Sequence, residues 1–153
     1  MCNFGYIPTI EEMNGLDWCN LLLLFPELSH KCPWDKLDGA DWYLLLESRP
    51  EFAEHCNWDE LEGDNWSLLL RVHPHFADKC DWEKLDGYDW AWLLRNNPEF
   101  ANKCDWDKLN GHNWYRLLEQ QPCFAYRCAW EKMSDLDWCW LLRAQSDLDK
   151  YRK

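Results

Sequence analysis

The sequence predicts an all-α fold, an α-solenoid of six 24-residue repeats, and three observations lead to it. One set of cysteines and two sets of tryptophans recur at intervals of 24 residues. An Asp or Asn directly precedes one Trp of every repeat, where a helix start is expected. No stretch alternates apolar and polar residues as a strand does. The in-register residues are Cys32, Cys56, Cys80, Cys104 and Cys128; Trp34, Trp58, Trp82, Trp106 and Trp130; and Trp18, Trp42, Trp66, Trp90, Trp114 and Trp138.

The repeats occupy residues 8–151, and the whole chain, 1–153, is expected to form a single repeat domain. Residues 1–7 lie outside the register and are expected to cover the first repeat, while residues 152–153 form a tail. Each repeat can bury its apolar face only against its neighbours, so the core should run along the stack. The repeats are 8–31, 32–55, 56–79, 80–103, 104–127 and 128–151.

The main helix of each repeat is expected to begin at the Trp that follows Asp or Asn. In the second repeat Asp41 precedes Trp42, and we assign Asp41 as the helix N-cap because such side chains accept hydrogen bonds from the first turn. Trp42, Leu45 and Leu46 then have the i, i+3, i+4 spacing of one apolar helix face. The helix should end before Pro50, since the residue before a proline disfavours the helical conformation.

A second, shorter helix is expected to begin at Pro50, whose missing N–H costs nothing at a first helical position. Phe52 and Ala53 supply its inner face. Trp58 lies in a third turn, and Gly63 is expected to end that turn in a left-handed conformation. Each repeat is therefore expected to contain two or three short helices.

Residues 8–151 follow the consensus C-x-W-[DE]-[KE]-L-x-G-x-[DN]-W-x-x-L-L-x-x-x-P-x-F-A-x-x and resemble the short-repeat α-solenoids. The leucine-rich variant repeat shares the 24-residue period, the short helices and the intervening proline, although this consensus is based on Trp and Cys. The chain also resembles a group of uncharacterised Trp-rich 24-residue repeat proteins. The resemblance implies a binding surface. Some leucine-rich-variant proteins carry an iron–sulphur cluster in a separate Cys-rich segment, which this sequence lacks, so no cofactor is expected.

Composition restricts the possible partners. Twenty-eight acidic against sixteen basic residues give a net charge of −12, which argues against binding nucleic acid phosphates or an anionic membrane. The charge either favours a basic protein partner or keeps a Trp-rich protein soluble. The nine cysteines include no C-x-x-C pair, and the N-terminus lacks a signal-peptide pattern. We therefore expect a cytoplasmic monomer with reduced thiols, with end-to-end association left open.

Neither an enzyme nor a metal site is expected. His73 and His75 form an H-x-H near Cys80, but they flank Pro74 at an exposed helix junction, and zinc needs three or four compactly spaced ligands. The carboxylates recur as a ladder instead of forming one tuned pair, and the glycines are isolated. Four cysteines depart from the register without a matching histidine: Cys2, Cys19, Cys123 and Cys139.

The variable positions of the main helix are the best candidates for a binding site. The position two residues after the helix Trp holds Asn20 and Arg116, so it is partly exposed, yet elsewhere it holds Leu or Trp. These residues could form an aromatic face with acidic flanks. Alternatively, Trp92 and Trp140 fold over the preceding repeat and complete the core. The candidate binding residues are Leu44, Leu68, Trp92, Trp140, Tyr43, Tyr88 and Tyr115.

Two functions follow from this pattern. The leading one is a non-enzymatic repeat scaffold that binds a protein partner through the aromatic, acid-flanked face, with no direct nucleic acid binding and no membrane. The alternative is an acidic mimic of nucleic acid that inhibits a DNA- or RNA-binding protein, as some phage-encoded inhibitors do. A mimic should lose affinity steeply with salt and tolerate removal of Trp92 or Trp140, whereas an aromatic docking face should show the opposite pattern. A self-assembling rod is a third possibility.

Overall fold

The computed structural model describes residues 9–152, so the expected cover of the first repeat by residues 1–7 lies outside the described part of the chain. Between residues 9 and 152 the chain contains α-helices and short 3-10 helices and no strand, which confirms the all-α prediction. The chain divides into two compact units, residues 1–61 and 62–153. The boundary falls inside the third repeat, whereas the sequence led us to expect one domain.

Each repeat contributes one ten-residue α-helix followed by a longer 3-10 helix, and from the second repeat onward a short 3-10 helix precedes the α-helix. The α-helices are α1 (Gly15–Leu24), α2 (Gly39–Ser48), α3 (Gly63–Val72), α4 (Gly87–Asn96), α5 (Gly111–Gln120) and α6 (Asp135–Ala144). The longer 3-10 helices are Pro26–Lys31, Pro50–His55, Pro74–Asp78, Pro98–Asn102, Pro122–Arg127 and Ser146–Tyr151. The shorter ones are Trp34–Lys36, Trp58–Glu60, Trp82–Lys84, Trp106–Lys108 and Trp130–Lys132.

Sequence neighbours pack on each other within each unit. In the first unit α1 packs on α2, and in the second unit α3 packs on α4, α4 on α5 and α5 on α6. The predicted apolar stripe is confirmed, since Trp42, Leu45 and Leu46 are all 0% exposed. α2 ends at Ser48, and Pro50 opens the next helix, as its lack of an N–H predicts. This neighbour-on-neighbour packing is that of an α-solenoid.

The structure corrects the predicted helix start by three residues. The N-cap of α2 is Asp38, and Asp41 is the third helical residue. The Asp41 N–H donates to Asp38 Oδ1 at 2.9 Å, and the Asp38 N–H donates to Asp41 Oδ2 at 3.3 Å. The two residues thus form a capping box, in which each side chain satisfies a free N–H of the other. The six N-caps are Asn14, Asp38, Glu62, Asp86, Asn110 and Ser134.

The structure also corrects the role of the recurring glycine. Gly63 is the first residue of α3 and ends no turn, and no described glycine has a positive φ. A Cβ on Gly111 would come closer than 3.0 Å to the backbone carbonyl oxygen of Lys132 in the following repeat. Gly87 approaches the carbonyl of Lys108 in the same way. Glycine is therefore required here for close approach of two backbones and not for a left-handed conformation.

The same lysines bind back to the preceding repeat through their side chains. Lys108 Nζ donates to the carbonyl oxygens of Glu83 and Leu85, at 2.8 Å each. Lys36 and Lys132 make the equivalent pair of bonds to their own preceding repeats. Lys108 and Lys132 therefore satisfy carbonyl groups in and next to the short 3-10 helices of the preceding repeat, and each of the three lysines links two repeats.

A second set of side-chain bonds links the helix ends. Gln121 follows the last residue of α5, and its Nε2 donates to the carbonyl oxygen of Arg95 in α4 at 3.1 Å. Gln145 makes the same bond to Glu119 in the following pair of helices, also at 3.1 Å. The last carbonyl groups of a helix have no partner within it, so each helix end is capped from the next repeat.

Aromatic rings stack within each repeat of the second unit. The indole of Trp82 lies parallel to that of Trp90, with centroids 5.4 Å apart and an interplanar angle of 13°. The ring of Phe100 also packs on the indole of Trp82, with centroids 5.5 Å apart and the two rings tilted by 50°. Offset-stacked aromatic pairs of this kind add to the free energy of simple burial. The same stack recurs in the pairs Trp106–Trp114 and Trp130–Trp138.

Candidate functional site

Five of the seven candidate binding residues lie on the side of the α-helices that faces away from the core, namely Leu44, Leu68, Tyr88, Trp92 and Trp140. Tyr43 and Tyr115 directly follow the core Trp and lie nearer the core. In α4 the core residue is Trp90, which is fully buried. Tyr88 and Trp92 are two residues away from it in either direction, and two residues turn a helix by about 200°. These side chains therefore point away from the stripe that packs the core. The repeat places the corresponding residues on the same side of the neighbouring helices.

The structure exposes three of the seven predicted residues and half-buries three more. Tyr88 is 61% exposed, Trp140 is 45% exposed, and Leu44 is 40% exposed. Leu68, Trp92 and Tyr43 are half-buried. Tyr115 is 8% exposed, so it supports the surface from below and does not project from it. Leu44 and Tyr43 belong to the first unit and the other five residues to the second.

The sequence left open whether Trp92 and Trp140 belong to a binding face or complete the core, and the structure answers differently for each. Trp140 is exposed and does not complete the core. Trp92 is intermediate: its ring is partly covered, and its Nε1 is buried without a hydrogen-bond partner. Trp92 therefore combines an apolar ring surface open to solvent with a fixed position, because its inner edge is held in the protein.

Three neighbouring hollows separate the outer residues of the second unit. Two of them form where the residue after the core Trp has a small, buried side chain, which is Ser67 in α3 and Ala91 in α4. In α5 that position is Tyr115, whose ring lines the third hollow. The α3–α4 hollow is lined by Asp64, Ser67, Leu68, Tyr88, Asp89 and Trp92. The α4–α5 hollow is lined by Tyr88, Ala91, Trp92, Arg95, Asn113 and Arg116, and the α5–α6 hollow by His112, Tyr115, Arg116 and Trp140.

The charged groups that contact these rings are arginines. The guanidinium of Arg95 lies 5.6 Å from the centroid of the Trp92 ring, and that of Arg143 lies 5.5 Å from the Trp140 ring. The guanidinium of Arg116 lies 5.7 Å from the Tyr115 ring. These are cation–π distances. The sequence led us to expect acidic flanks, and Asp64 and Asp89 do line the α3–α4 hollow beside Trp92, but the groups that lie over the rings are cations.

Sequence reasoning missed these arginines as part of the site, although the signal was present. Trp92 and Arg95, like Trp140 and Arg143, are separated by three residues, a spacing that brings helix side chains together. The net charge of −12 drew attention away from them. Below, the outer surface formed by Tyr88, Trp92, Arg95, Arg116, Trp140 and Arg143 is called the Trp–Arg face.

The carboxylates are regularly placed on a different part of the repeat. Glu83 is the middle residue of the 3-10 helix Trp82–Lys84, and it is exposed. Asp107 and Glu131 hold the same position in the next two repeats of the second unit and are exposed as well. The second unit thus carries one exposed carboxylate per repeat in the short 3-10 helices.

The thiols have the character of packing residues. Burial raises the pKa of the Cys56 thiol to about 12, and it does the same for Cys80, Cys104 and Cys128. A thiol with such a pKa stays protonated at neutral pH and is a poor nucleophile. All cysteines that the structure describes are free. In the described part of the chain, no three His, Cys, Asp or Glu side chains are grouped closely enough to hold a metal ion.

One carboxyl beside the α3–α4 hollow has an altered pKa. Asp89 is the third residue of α4, and burial raises its pKa to about 6, although the hydrogen bond from the Asp86 N–H acts in the opposite direction. A carboxyl whose pKa is higher in the folded state stabilises the fold when protonated. That contribution is complete below about pH 4 and is lost as the pH rises to about 6.

Asp89→Asn is therefore expected to raise the free energy of unfolding at neutral pH, by about 1–2 kcal/mol. The amide oxygen can still accept the Asp86 N–H, as the Asn113 side chain does for Asn110 in α5. Urea unfolding of both proteins at about pH 4.5 and about pH 7 checks this, because the difference should shrink at the lower pH. A difference that is the same at both values would contradict the assigned burial of the Asp89 carboxylate.

No protein-family profile, curated protein or solved structure matches this chain. The repeat pattern and its helical units are observed, while membership in the Trp-rich or leucine-rich-variant groups remains a prediction. None of the helices described between residues 9 and 152 has the length and hydropathy that crossing a bilayer requires.

Proposed function

We propose that this chain is a non-enzymatic repeat scaffold that binds a protein partner through the Trp–Arg face. The observation that carries the proposal is the exposed Trp140 on α6, in line with the half-exposed Trp92 on α4. Large aromatic side chains at a surface cost solvation free energy, and they are enriched among residues that dominate protein–protein affinity.

The hollows between the helices supply the second requirement of a docking face. Binding hot spots pair an anchor on one protein with a pocket on the other. Tyr88 and Trp92 border the α3–α4 hollow, so a partner side chain can enter there beside a fixed ring. α3 to α6 are held by successive packing, which limits the entropy lost on binding. In the first unit, Leu44 and Tyr43 occupy the equivalent positions and complete the proposed set.

The cellular setting that we infer agrees with this role. The described cysteines are free thiols, as expected in a reducing cytoplasm. We propose a cytoplasmic monomer that uses no cofactor and binds neither nucleic acid nor membrane directly. Sedimentation of the purified protein at several concentrations tests the monomer, and a mass that rises with concentration would indicate end-to-end association.

The test of the proposed function is affinity capture with three baits. The first is the wild type, and the second is the triple variant Leu68→Ala, Trp92→Ala, Trp140→Ala. The third is the matched control Glu83→Gln, Asp107→Gln, Glu131→Gln, which removes exposed carboxylates away from the Trp–Arg face. We expect a discrete protein that is retained at high salt, lost with the second bait and kept by the third. Retention of every captured protein by the second bait would reject the Trp–Arg face.

The nucleic acid mimic is kept as a second candidate because of one observation. Glu83, Asp107 and Glu131 are exposed at a constant interval, which gives a regular ladder of negative charge in the second unit. A mimic should capture a DNA- or RNA-binding protein that high salt removes. That protein would be lost with the carboxylate variant and retained by the tryptophan variant, the reverse of the pattern expected for the docking face.

A further inference from the structure

We propose that the segment docking on the Trp–Arg face is an acidic stretch of polypeptide that places a carboxylate between two apolar side chains. The inference rests on the proposed function and names the chemistry of its partner. It reverses the preference for a basic partner that the net charge of the whole chain suggests.

The first argument is that two guanidinium groups on this face have no acidic partner. Among the described residues, Arg116 and Arg143 form no ion pair and donate no side-chain hydrogen bond, and both are exposed. Each lies beside an aromatic ring instead. Arg116 shares the α5–α6 hollow with Trp140, and Arg143 lies over the Trp140 ring, so in a chain with 28 acidic residues two unpaired arginines border the same indole and form a local cationic patch that a complementary partner can use.

The carboxylates near this patch are already engaged or lie at its edge. Glu119 lies 4.0 Å from the Arg95 guanidinium, and Asp137 Oδ2 accepts hydrogen bonds from the N–H and the hydroxyl of Ser134. The Asp137 side chain is only 13% exposed, so little of its charge faces a partner. Asp64 borders the α3–α4 hollow, away from α5 and α6. Arg116 and Arg143 are therefore the exposed cations that a carboxylate of a partner can pair with on this part of the face.

The second argument is the order of side chains along the face. Trp92, Arg116 and Trp140 occupy the same helical position in α4, α5 and α6. Packed helices lie about 8–10 Å apart, so a guanidinium is expected about midway between two indoles. A polyproline II segment has three residues per turn and advances about 3.1 Å per residue, so a carboxylate and apolar residues three positions away on each side share one face at a spacing of about 9 Å, which fits this order. Arginine can bind that carboxylate through two parallel hydrogen bonds.

A polypeptide fits better than a phosphate polymer. The α3–α4 hollow beside Trp92 is lined by Leu68 and the Tyr88 ring and can receive an apolar side chain. Nucleobases also stack on such rings, so the charge of the whole chain decides between the two kinds of ligand. The exposed carboxylates elsewhere in the chain repel a long polyanion, whereas a short acidic segment meets only the local charge.

The test is a selection from a phage-displayed library of short random peptides on the immobilised full chain. The Trp92→Ala, Trp140→Ala double variant serves for counter-selection. We expect the enriched peptides to carry Asp or Glu between apolar residues. One enriched peptide is then synthesised with a fluorophore, and its affinity is measured by anisotropy. A labelled single-stranded oligonucleotide is tested in parallel and should not bind.

Charge variants decide between the outcomes. Arg116→Glu and, separately, Arg143→Glu should each weaken the peptide about tenfold, and Arg116→Lys should weaken it less because it keeps the charge and loses the bidentate geometry. Arg127→Glu is the matched control, since Arg127 is exposed and lies over Trp106 and Tyr126 in a 3-10 segment. Circular dichroism melting of each variant verifies folding.

Three results would overturn the inference. Enrichment of basic or uncharged peptides that need the tryptophans but tolerate both arginine reversals would remove the acidic partner and leave the docking face intact. If no peptide is enriched on the wild type relative to the Trp92→Ala, Trp140→Ala variant, both the acidic partner and the docking face are rejected. Tight binding of the oligonucleotide, lost with Arg116→Glu, would assign the face to a phosphate polymer.

Discussion

Trp90→Ala is expected to lower the free energy of unfolding by about 3–5 kcal/mol, a large share of the roughly 5–15 kcal/mol typical of a folded protein. Trp90 is 0% exposed, and its indole stacks on Trp82 within α4's own repeat. The substitution leaves a cavity that the packed helices on either side cannot close. Thermal melting followed by circular dichroism should show a fall of about 10 °C.

The matched control for this prediction lies two residues away on the same helix. Tyr88→Ala removes another aromatic ring, but Tyr88 is 61% exposed, so its effect should stay near 0.5 kcal/mol or below, about the usual size for a surface site. Melting of Trp90→Ala within a degree of the wild type would show that this position is not part of the core.

Gly111→Ala is expected to destabilise the protein by about 1–3 kcal/mol, although alanine is the better helix former by about 1 kcal/mol. Gly111 is the first residue of α5, and the added Cβ would meet the backbone carbonyl of Lys132. A backbone group cannot rotate away as a flexible side chain can, so the two repeats must separate. The sign of the change therefore distinguishes backbone contact from helix propensity.

Asp135 provides the control, because it holds the same position in α6 and its side chain is fully exposed. Asp135→Ala should be more stable than Asp135→Gly by up to about 1 kcal/mol, the order set by helix propensity alone. Urea unfolding of the three variants measures both comparisons. Stabilisation by Gly111→Ala would mean that the close approach of the two backbones is absent.

The sequence could predict the repeat, the apolar stripe and the helix end because these follow from local rules. Trp42, Leu45 and Leu46 have a spacing that only a helix brings to one face, and Pro50 limits where that helix can end. The helix start was misplaced because a capping box contains two residues of cap type, three apart. The Asp41 position holds only Asp or Asn in the six repeats, whereas the Asp38 position also holds Glu and Ser. The more uniform residue type does not reveal which of the two residues precedes the helix.

The glycine and the charge of the face could not be predicted for a different physical reason. Gly111 is required by a carbonyl group 21 residues away, that of Lys132, which no local pattern shows. The net charge sums over the whole surface, whereas Arg116 and Trp140 meet only when α5 and α6 pack together. Contacts between repeats, unlike contacts within one, depend on the three-dimensional stacking.

The most direct test of the docking face is nuclear magnetic resonance of the indole N–H groups during titration with the captured partner. The chain has 13 tryptophans, and each gives a separate side-chain signal that single Trp→Phe variants can assign. We expect the signals of Trp92 and Trp140 to shift while those of Trp82 and Trp106, in the 3-10 helices beside the carboxylate ladder, stay in place. Shifts confined to Trp82 and Trp106 would contradict the account and favour the nucleic acid mimic.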